Sequence, residues 1–598
     1  MEFPRLYEVE RYREMTTAFG GYKHDLSCGE SQFFDMKNMT TQYYPILSPR
    51  ENRGIVKNLV NPQGILDKEE LMWIDDGKLY LNGDEITLKG ITLSSEESMC
   101  PKVMAKMGAY VIIMPDKIWY NADNGECGYM EASYTNVAGS EVKFTLCNVD
   151  GSAITWHNAE YYETNDPQNG DYMMTTTNGK TSLKVYSSST KMWATVATTY
   201  MQITATGIGK DFAKEDGIKI TIDPVEGWDY ASNIFVNKED DGRLSTNTAI
   251  VDKTDDCITI IAILDENKTF TNLSITVERK VPEMAFITEC NNRLWGCSED
   301  GHEIYCCKLG DVKNWNCFQG IATDSWAVTI GSDGKFTGAV TYLGYPMFFK
   351  EDCFVKIAVS STGAHQTKET RCRGVQRGSE RSIAILNETL FYKSTTCVCA
   401  YSGSLPVSIS DDLGEVRYTD AVAGTIGNRY YISMRDDRGK YSLFVYDFKN
   451  GNWSREDETE VLYFCRHEDD LYYIDVADNK MKSVRGTLPY DVEEKAMEGK
   501  FGWYAESGNI GYASPDNKYV ARINVRITLE FGTDVDFYMQ YDSDGLWEHK
   551  FHMSGKGTRS FTVPIIPKRC DHFKYKLAGK GMCKIHSVTK TMEQGSDV

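Results

Sequence analysis

The carboxylates are the most abundant residues of this chain that could do chemistry. Two Asp or Glu side chains that face one sugar can hydrolyse a glycosidic bond, and some sugar-cleaving enzymes instead use a tyrosine nucleophile within an arginine cluster. The chain has 86 Asp and Glu residues among 598. Pairs of carboxylates therefore occur almost anywhere in the sequence, and no spacing identifies two of them as catalytic residues. We predict no catalytic residue from the sequence.

Asp-Gly pairs invite comparison with the aspartate boxes of sialidase propellers. The pairs are Asp300-Gly301, Asp333-Gly334 and Asp544-Gly545. An aspartate box needs a Thr-Trp pair after its turn, and these sites have none, so plain turns with left-handed glycines are the better interpretation. The run from Asp542 to Gly545 resembles the start of an EF-hand loop, but it lacks the later ligands and the terminal Glu. We predict no calcium site.

Cysteine and histidine have no metal-ligand spacing. The 17 cysteines are scattered without a CxxC pair, and both Cys306-Cys307 and Cys397-Val398-Cys399 are spaced wrongly for zinc. Free thiols in a protein assembled in a reducing cytoplasm are expected. His302, His467 and His572 stand apart, which favours surface or satisfied core positions. GxSxG, GxGxxG before a helix and phosphate-binding loops are missing, so we predict no cofactor and no metal.

The charge balance bears on partners. The formal net charge is −21, whereas affinity for a phosphate backbone comes chiefly from Lys and Arg clusters. Ordinary nucleic-acid binding is therefore disfavoured, although an acidic passage through which DNA slides without adhering is compatible with this charge. The sequence has no run of about 18 apolar residues and no secretory signal at its start, so no membrane span is expected.

The elements that would position any site are short strands. Asn291 to Phe318 contains an alternating strand at Arg293–Trp295, a break at Asp300-Gly301 and a second strand at Ile304–Cys306, which predicts a β-hairpin. The same pattern, a short alternating strand with an aromatic or large aliphatic pair next to a turn, recurs along the chain, and we call each copy a strand kernel. The kernels are centred on Leu79, Ile118, Leu294, Phe354, Leu390, Tyr430 and Leu471. A period of about 40 residues built from short strands is typical of a β-propeller blade.

The spacing of the kernels also predicts the domains. One long gap, between Ile118 and Leu294, indicates a domain inserted between two blades. We predict an all-β protein with a propeller of about seven blades, an inserted β domain and a C-terminal β-sandwich. The predicted boundaries are 1–60 for an N-terminal segment, 61–120 and 281–486 for the propeller, 121–280 for the insertion and 487–598 for the sandwich. The alternative is a stack of sandwiches with coincidental spacing.

Local patterns give more detailed expectations. Within the insertion, strands are predicted at 141–147, 182–186, 200–204, 218–222, 257–264 and 273–277. Lys102 to Met107 is predicted to form a helical turn. In the C-terminal part, Val520–Leu529 is predicted to pair with Val535–Gln540. The first and last blades are expected to close the ring by sharing strands from both ends of the propeller.

Several segments carry a resemblance to known proteins. Asn291 to Trp315 combines an NRLW strand, an I-Y strand, K-L-G-D and an aromatic residue; further matches are MKNMTTQYYPILSPR (36–50), TYLGYPMFFKEDC (341–353), ETLFYKS (388–394), PKRCDHF (567–573) and EQGSDV (593–598). Together they resemble the nozzle, or tail tubular protein B, of short-tailed bacteriophages and related virion structural proteins of phages that infect gut Firmicutes. The resemblance covers nearly the whole chain for the second group and chiefly the propeller for the first.

This resemblance implies a non-enzymatic virion structural protein of the phage tail. It implies a homo-oligomeric ring, usually a hexamer, that extends the DNA-ejection channel below the portal and adaptor. Implied partners are the adaptor, tail fibres or spikes, and DNA that passes without sequence-specific binding. Assembly would take place in the cytoplasm of the host bacterium, and the tail type stays open. The alternatives are a host receptor- or glycan-binding tail protein and a carbohydrate-active propeller enzyme.

Overall fold

Short β-strands joined by tight turns make up almost all of the regular structure. The computed structural model describes residues 11–96, 101–177, 180–223, 234–359, 364–486, 496–512 and 516–594. Within these ranges the strands form a β-propeller, a β domain inserted between two blades and a C-terminal sandwich. The predicted all-β fold class is confirmed. No helix in the described ranges is long and apolar enough to cross a membrane.

The N-terminal residues supply strands to two different parts of the molecule. They form β1 (Arg11–Thr16), β2 (Phe33–Lys37), β3 (Met39–Thr40), β4 (Ser48–Pro49) and β5 (Gly54–Asn58). Strands β1 and β2 lie at the two ends of the C-terminal sheet, whereas β5 joins the last blade of the propeller. The predicted N-terminal segment is therefore divided between these two bodies.

The first two blades follow, each with four antiparallel strands. Blade 1 contains β6 (Pro62–Lys68), β7 (Glu70–Asp75), β8 (Lys78–Leu81) and β9 (Asp84–Ile86), and blade 2 contains β10 (Val103–Met107), β11 (Tyr110–Met114), β12 (Ile118–Asn121) and β13 (Cys127–Tyr129). The predicted helical turn at Lys102 to Met107 is wrong. Val103–Met107 pairs with Tyr110–Met114 as the inner strand of its blade, so sheet pairing overrides local helix propensity.

The inserted domain is a second β-sandwich. Its elements are β14 (Ala132–Thr135), β15 (Val142–Cys147), β16 (Trp156–Asn158), α1 (Tyr161–Thr164), β17 (Tyr172–Thr177), β18 (Lys180–Ser187), β19 (Met192–Thr195), β20 (Tyr200–Thr204), β21 (Gly217–Ile222), β22 (Asn237–Lys238), β23 (Leu244–Thr254), β24 (Cys257–Ile261), β25 (Lys268–Phe270) and β26 (Ile275–Arg279). Strands β16 to β19 form a small sheet of their own. The others form one sheet in which β23 shifts register between Ile250 and Asp252, and both halves of this sheet pack against one apolar core.

The chain then returns to the propeller. Blade 3 contains β27 (Phe286–Glu289), β28 (Leu294–Cys297), β29 (Glu303–Cys306) and β30 (Trp326–Thr329); blade 4 contains β31 (Gly338–Tyr342), β32 (Tyr345–Phe349), β33 (Cys353–Val359) and β34 (His365–Arg371); blade 5 contains β35 (Ala384–Leu386), β36 (Thr389–Lys393), β37 (Val398–Tyr401) and β38 (Val407–Ser408). Blade 6 contains β39 (Tyr418–Ile426), β40 (Arg429–Asp436), β41 (Tyr441–Asp447) and β42 (Asn452–Arg455); blade 7 contains β43 (Val461–His467), β44 (Asp470–Asp475) and β45 (Lys480–Ser483). Single 3-10 turns lie at Glu380–Ser382 and Asp411–Leu413.

Strands from both ends of the propeller close its ring. Within the described residues β5 pairs with β45 as the fourth strand of blade 7, with Gly54 opposite Ser483, and β43 lies beside β6 of blade 1. This sharing of strands agrees with the expectation from the sequence. Closing the ring in this way leaves only short, protected edges on the blades.

Separate apolar clusters fill the gaps between neighbouring blades. Trp73 of blade 1 packs with Tyr472 of blade 7, for example, whereas Phe349 of blade 4 packs with Tyr392 of blade 5. A strand that packs against apolar neighbours on both faces exposes neither face to solvent, so its sequence is a continuous run of apolar residues. Leu71–Ile74 and Val111–Met114 are such runs, and all of their side chains are buried.

The predicted kernels mark the blades but not one strand type. Each kernel lies in a different blade: Leu294, Leu390, Tyr430 and Leu471 are on second strands, whereas Leu79, Ile118 and Phe354 are on third strands. The wide spacing between Leu294 and Phe354 combines this change of strand with the long connection from β29 to β30. Two predicted domain boundaries are wrong. Blade 2 ends at Tyr129 and not at residue 120, and the propeller strand β5 lies before the predicted start of the propeller at residue 61. Both strands are outer strands of their blades, which are short and carry no apolar pattern.

The C-terminal sandwich is built from one folded sheet. Besides β1 and β2, its strands are β47 (Gly502–Ser507), β48 (Lys518–Tyr541), β49 (Glu548–Val563), β50 (Arg569–Cys570), β51 (Phe573–Lys580) and β52 (Cys583–Gln594). The short strand β46 (Ala496–Met497) precedes them and pairs with β5 as a fifth strand of the blade 7 sheet. The predicted pairing of Val520–Leu529 with Val535–Gln540 is wrong, since both segments belong to the single strand β48. Its first half pairs with β52 and its second half with β51, while β49 follows both halves.

Both appended bodies are fixed to the propeller. The core of the sandwich continues through Phe33 and Tyr22 into the gap between blades 5 and 6, and the Tyr22 amide donates to the carbonyl oxygen of Trp453 at 2.6 Å. The insertion is held to blade 3 where the Gly217 amide donates to Asn314 Oδ1 at 3.0 Å and Asn314 Nδ2 donates to the carbonyl oxygen of Glu215 at 2.6 Å. These contacts set the positions of the elements that carry the sites described next.

Candidate functional site

Two buried arginines of the N-terminal residues bind carboxylates from distant parts of the chain. Arg50 and Arg53 immediately precede β5, so the pairing of β5 in blade 7 determines their position. Two carboxylate oxygens of Glu498 lie 2.6 and 2.9 Å from Arg50 Nη1 and Nη2. Arg53 binds Glu456 at 2.6 Å and Asp457 at 2.8 Å. We call these five residues the ion-pair seam.

Mutual attraction outweighs burial within the seam. Burial by itself lowers the pKa of Arg53, but Asp457 and Glu456 raise this pKa well above its ordinary value. Burial raises the pKa of Asp457, yet Arg53 and Arg50 bring it down to about 2. Burial also opposes ionisation of Glu498, and a hydrogen bond from Arg50 lowers its pKa nonetheless. These three groups are charged at neutral pH and hold one another in place.

A cavity of about 310 Å³ opens beside the seam, where the first turn of blade 6 meets the end of blade 7. Its charged lining consists of Arg50, Arg53, Arg429, Arg485, Glu51 and Glu456. We call this cavity the arginine pocket. Its residues come from four separate stretches of the sequence, which the closed ring brings together.

Two arginines of the pocket form no salt bridge with a carboxylate of the described residues. Arg429 begins β40, and its Nη1 donates to the hydroxyl oxygen of Tyr431 at 3.0 Å. Arg485 follows β45 and is exposed, and a Cβ built on Gly427 would lie 3.8 Å from its Nη2. Burial, followed by Glu456, raises the pKa of Tyr431 to about 12. The phenol is therefore neutral at pH 7, and its proton is free for another acceptor.

The Asp-Gly pairs of the sequence are turns, and the structure does not bring them into one site. Asp300 Oδ1 accepts from Ser298 Oγ at 2.5 Å and from the His302 amide at 3.0 Å. Gly301 (φ +88°) packs against Gly334, which also has a positive φ. Asp544 Oδ1 accepts from the Leu546 amide at 2.9 Å, as expected of a turn aspartate, whereas Asp542 Oδ1 accepts from the amides of Asp571 and His572 of a distant loop.

The cysteines within the described ranges are all free thiols. Cys397 and Cys399 point to the same side, with their Sγ atoms 3.6 Å apart, and Arg373 Nη1 lies 3.4 Å from Cys397 Sγ. The contact with Cys399 lowers the pKa of Cys397, and the same contact together with burial raises the pKa of Cys399. Burial also raises the pKa of the Cys306 and Cys307 thiols.

The histidines singled out in the sequence belong to separate local networks. His467 Nδ1 lies 2.8 Å from Asp67 Oδ1, whereas His572 contacts Asp571 and Ser543. In the described part of the chain, no group of three or more His, Cys, Asp or Glu residues is arranged to hold a metal ion.

A cluster of aromatic rings covers the outer side of the small sheet in the insertion. It comprises His157, Tyr161, Tyr162, Tyr186 and Trp193, which we call the aromatic face. The His157 and Tyr161 rings stack with centroids 3.8 Å apart. Tyr162 and Trp193 follow at 4.9 Å, and Tyr161 is 42% exposed.

The sequence contained little signal for these two sites. Arg50 and Arg53 stand close together after Pro49, but nothing nearby in the chain shows which carboxylates they bind. Arg429 and Tyr431 belong to a strand kernel, whose alternation predicts a strand and not a pocket. The rings of the aromatic face are spread over 37 positions, from 157 to 193.

Comparisons with known proteins give limited information. No family model matches this chain, and no curated protein matches it. Among solved structures, AztD from Citrobacter koseri is 10% identical and has a TM-score of 0.23, with 71% of this chain and 100% of that chain covered. A mutant of Trypanosoma rangeli sialidase with trans-sialidase activity is 9% identical at a TM-score of 0.21, with 77% and 96% covered. An exo-β-1,3-galactanase from Phanerochaete chrysosporium is 8% identical at 0.20, with 50% and 92% covered. Similarities at this level do not indicate an activity.

Proposed function

We propose that this protein is a non-enzymatic structural subunit of a bacteriophage tail. In this role it forms a ring, in the manner of a nozzle or hub, and extends the DNA-ejection channel below the portal and adaptor. The protein would reside in the virion tail after assembly in the bacterial cytoplasm. Its partners would be other copies of itself, most simply in a homohexamer, together with the adaptor and the tail fibres or spikes.

The interlocking of the chain ends is the observation that carries the proposal. Strand β5 completes blade 7, while β1 and β2 of the same segment lie in the C-terminal sheet. The ion-pair seam adds buried charges where β5 meets the end of blade 6 and the segment that leads to the sandwich. Unpairing β5 from blade 7 would take these charges away from their partners, which is costly. Such a body suits a subunit that must keep its shape under mechanical load.

The net charge of the chain and the position of strand β1 support the same role. An excess of 21 negative charges reduces adhesion of DNA that passes through a channel. Strand β1 is the end strand of its sheet among the described strands, and end strands can pair with another chain. Met15 on this strand is 64% exposed. We infer that β1 is part of the contact between subunits.

Light scattering of the purified full chain, followed by negative-stain imaging, tests the proposal. Rings of about six subunits with an axial hole would support it. A protein that remains monomeric up to high concentration, or that forms trimeric spikes, would contradict it. A screen for hydrolysis of glycans tests the non-enzymatic part separately, because turnover would assign the protein to a different class.

One observation favours a second candidate, a tail protein that binds a host glycan. Aromatic rings beside polar groups form surfaces that suit the apolar faces of sugar rings. The aromatic face has this composition, with Asn158 and Asp171 close by. Its place on an insertion, at the outer side of a small sheet, would give it access to a cell surface. Binding of the full chain to host cell-wall polysaccharide tests this candidate.

A further inference from the structure

We propose that the arginine pocket binds a small organic oxyanion, a carboxylate or phosphate group carried by a body about the size of a sugar. The proposal does not depend on the role of the protein in a tail. It rests on the charge, the hydrogen-bonding capacity and the size of the pocket.

The size of the pocket suits a small metabolite. Its volume of about 310 Å³ lies at the lower end of the range for ligand sites, which is about 300–1,000 Å³. Ile426 and Val484 contribute an apolar wall, while Thr40 and Gln42 contribute polar groups. A ligand with both an organic body and a charged group matches this mixed lining.

Two guanidinium groups are available to bind the charge. Arg429 is half-buried and donates only to a neutral phenol among the described residues. Burial opposes the charge on Arg429, whereas Tyr431, Glu456 and Asp447 favour it, but no carboxylate forms an ion pair with its guanidinium among the described residues, so donors remain for a bound oxyanion. Arg485 lies against the turn that leads into Arg429. Guanidinium groups bind carboxylate and phosphate through paired hydrogen bonds, which makes both groups candidates for the charged end.

The rest of the pocket is already fixed and does not compete for these donors. Arg53 holds Glu456 at 2.6 Å, and the Tyr43 hydroxyl donates to Glu51 at 2.8 Å. Arg53 therefore neutralises the charge of Glu456, while the phenol of Tyr43 fixes the position of the Glu51 carboxylate. The Tyr431 hydroxyl accepts from Arg429, so its own proton can be donated to the ligand. Binding would thus require little rearrangement of the protein.

Calorimetric titration of the full chain tests the proposal with three probes: inorganic phosphate, glucuronate and uncharged glucose. We expect binding of phosphate, of glucuronate or of both, and none of glucose. Binding of phosphate alone would identify a phosphate site, and binding of glucuronate alone a carboxylate site. Failure of both anions to bind at millimolar concentration, or equal binding of glucose, would overturn the proposal.

Matched variants connect the binding to the pocket. Arg429→Gln and Arg485→Gln should each weaken binding at least about tenfold, since each removes charged hydrogen bonds. Arg438→Gln makes the same charge change on an exposed hairpin turn outside the pocket and should bind as the wild type does. Arg485 is exposed, so its variant keeps the test valid if Arg429→Gln does not fold. Unchanged affinity in both pocket variants would refute the assignment.

Discussion

Nη2 of Arg53 lies 2.6 Å from Oε2 of Glu456, and neither side chain is more than 5% exposed. Arg53 precedes the strand that closes the propeller, whereas Glu456 follows the outer strand of blade 6. This contact therefore links closure of the ring to the neighbouring blade. Because both charges are out of water, each depends on the other for its stability.

Breaking this pair should destabilise the protein strongly. Arg53→Met keeps most of the side-chain volume but leaves Glu456 without its close partner, so we expect a loss of about 3–5 kcal/mol in the free energy of unfolding. The free energy of the first cooperative transition in urea unfolding measures this loss. Lys78→Met breaks an exposed pair with Glu85 that water screens, so its unfolding should stay close to that of the wild type. Equal stability of the two variants would contradict the role of the seam.

Because of the ion-pair seam, the free energy of unfolding should also decrease at acidic pH. The pKa of Asp457 lies at about 2, below its ordinary 3.8, so its ionised form stabilises the folded state. This contribution is fully present above the unfolded pKa and is lost as the pH falls toward 2. By pH 3 the loss should be about 1 kcal/mol relative to pH 5.

Asp457→Asn removes this titration and should flatten the change between pH 5 and pH 3. Urea midpoints at the two pH values measure the difference. Asp437→Asn, at an exposed hairpin turn, serves as the control and should follow the wild type. An acid dependence in Asp457→Asn as steep as in the wild type would rule out this assignment.

The base of the insertion should not tolerate a side chain at Gly217. A Cβ there would lie 2.3 Å from the carbonyl carbon of Asn316, and the Gly217 amide donates to Asn314 Oδ1 at 3.0 Å. Gly217→Ala should therefore cost about 1–3 kcal/mol, measured by urea unfolding. Gly331 has no atom within 4 Å of the corresponding position, so Gly331→Ala should leave stability nearly unchanged. A neutral Gly217→Ala would show that the insertion is docked differently.

The proposed contact between subunits can be tested on β1. Met15→Lys places a charge on the open edge strand, where Met15 is 64% exposed, and should raise the dissociation constant of the ring at least about tenfold. Met192→Lys alters an equally exposed methionine, at 65%, on the insertion and should leave the ring intact. Light scattering across a dilution series gives both results. Rings that survive Met15→Lys would exclude β1 from the contact.

The glycan-binding candidate makes its own prediction. Trp193→Ala removes the largest ring of the aromatic face and should weaken binding to host polysaccharide at least about tenfold. Trp547→Ala changes a half-buried tryptophan of the sandwich and should have no effect. A pull-down with purified cell wall measures both variants. If the wild-type chain does not bind the polysaccharide, this candidate fails while the ring proposal stands.

The sequence alone was sufficient to predict the repeating architecture. Blade cores are apolar on both faces, so each blade leaves a recognisable run such as Leu71–Ile74, and the runs recur at the spacing of a blade. The gap between Ile118 and Leu294 located the insertion for the same reason. Outer strands such as Cys127–Tyr129 were missed, because they face solvent and need no apolar pattern.

Only the tertiary structure determined which distant residues meet. Val520–Leu529 and Val535–Gln540 have the pattern of a hairpin, yet each finds a better partner in β52 or β51, so one long strand forms. In the ion-pair seam, Arg53 and Glu456 are more than 400 positions apart in the sequence. The attraction between two charges depends on their distance in space and not on their separation along the chain. Closure of the ring brings Arg50, Arg53, Arg429 and Arg485 around one cavity, and no local pattern in the sequence records that closure.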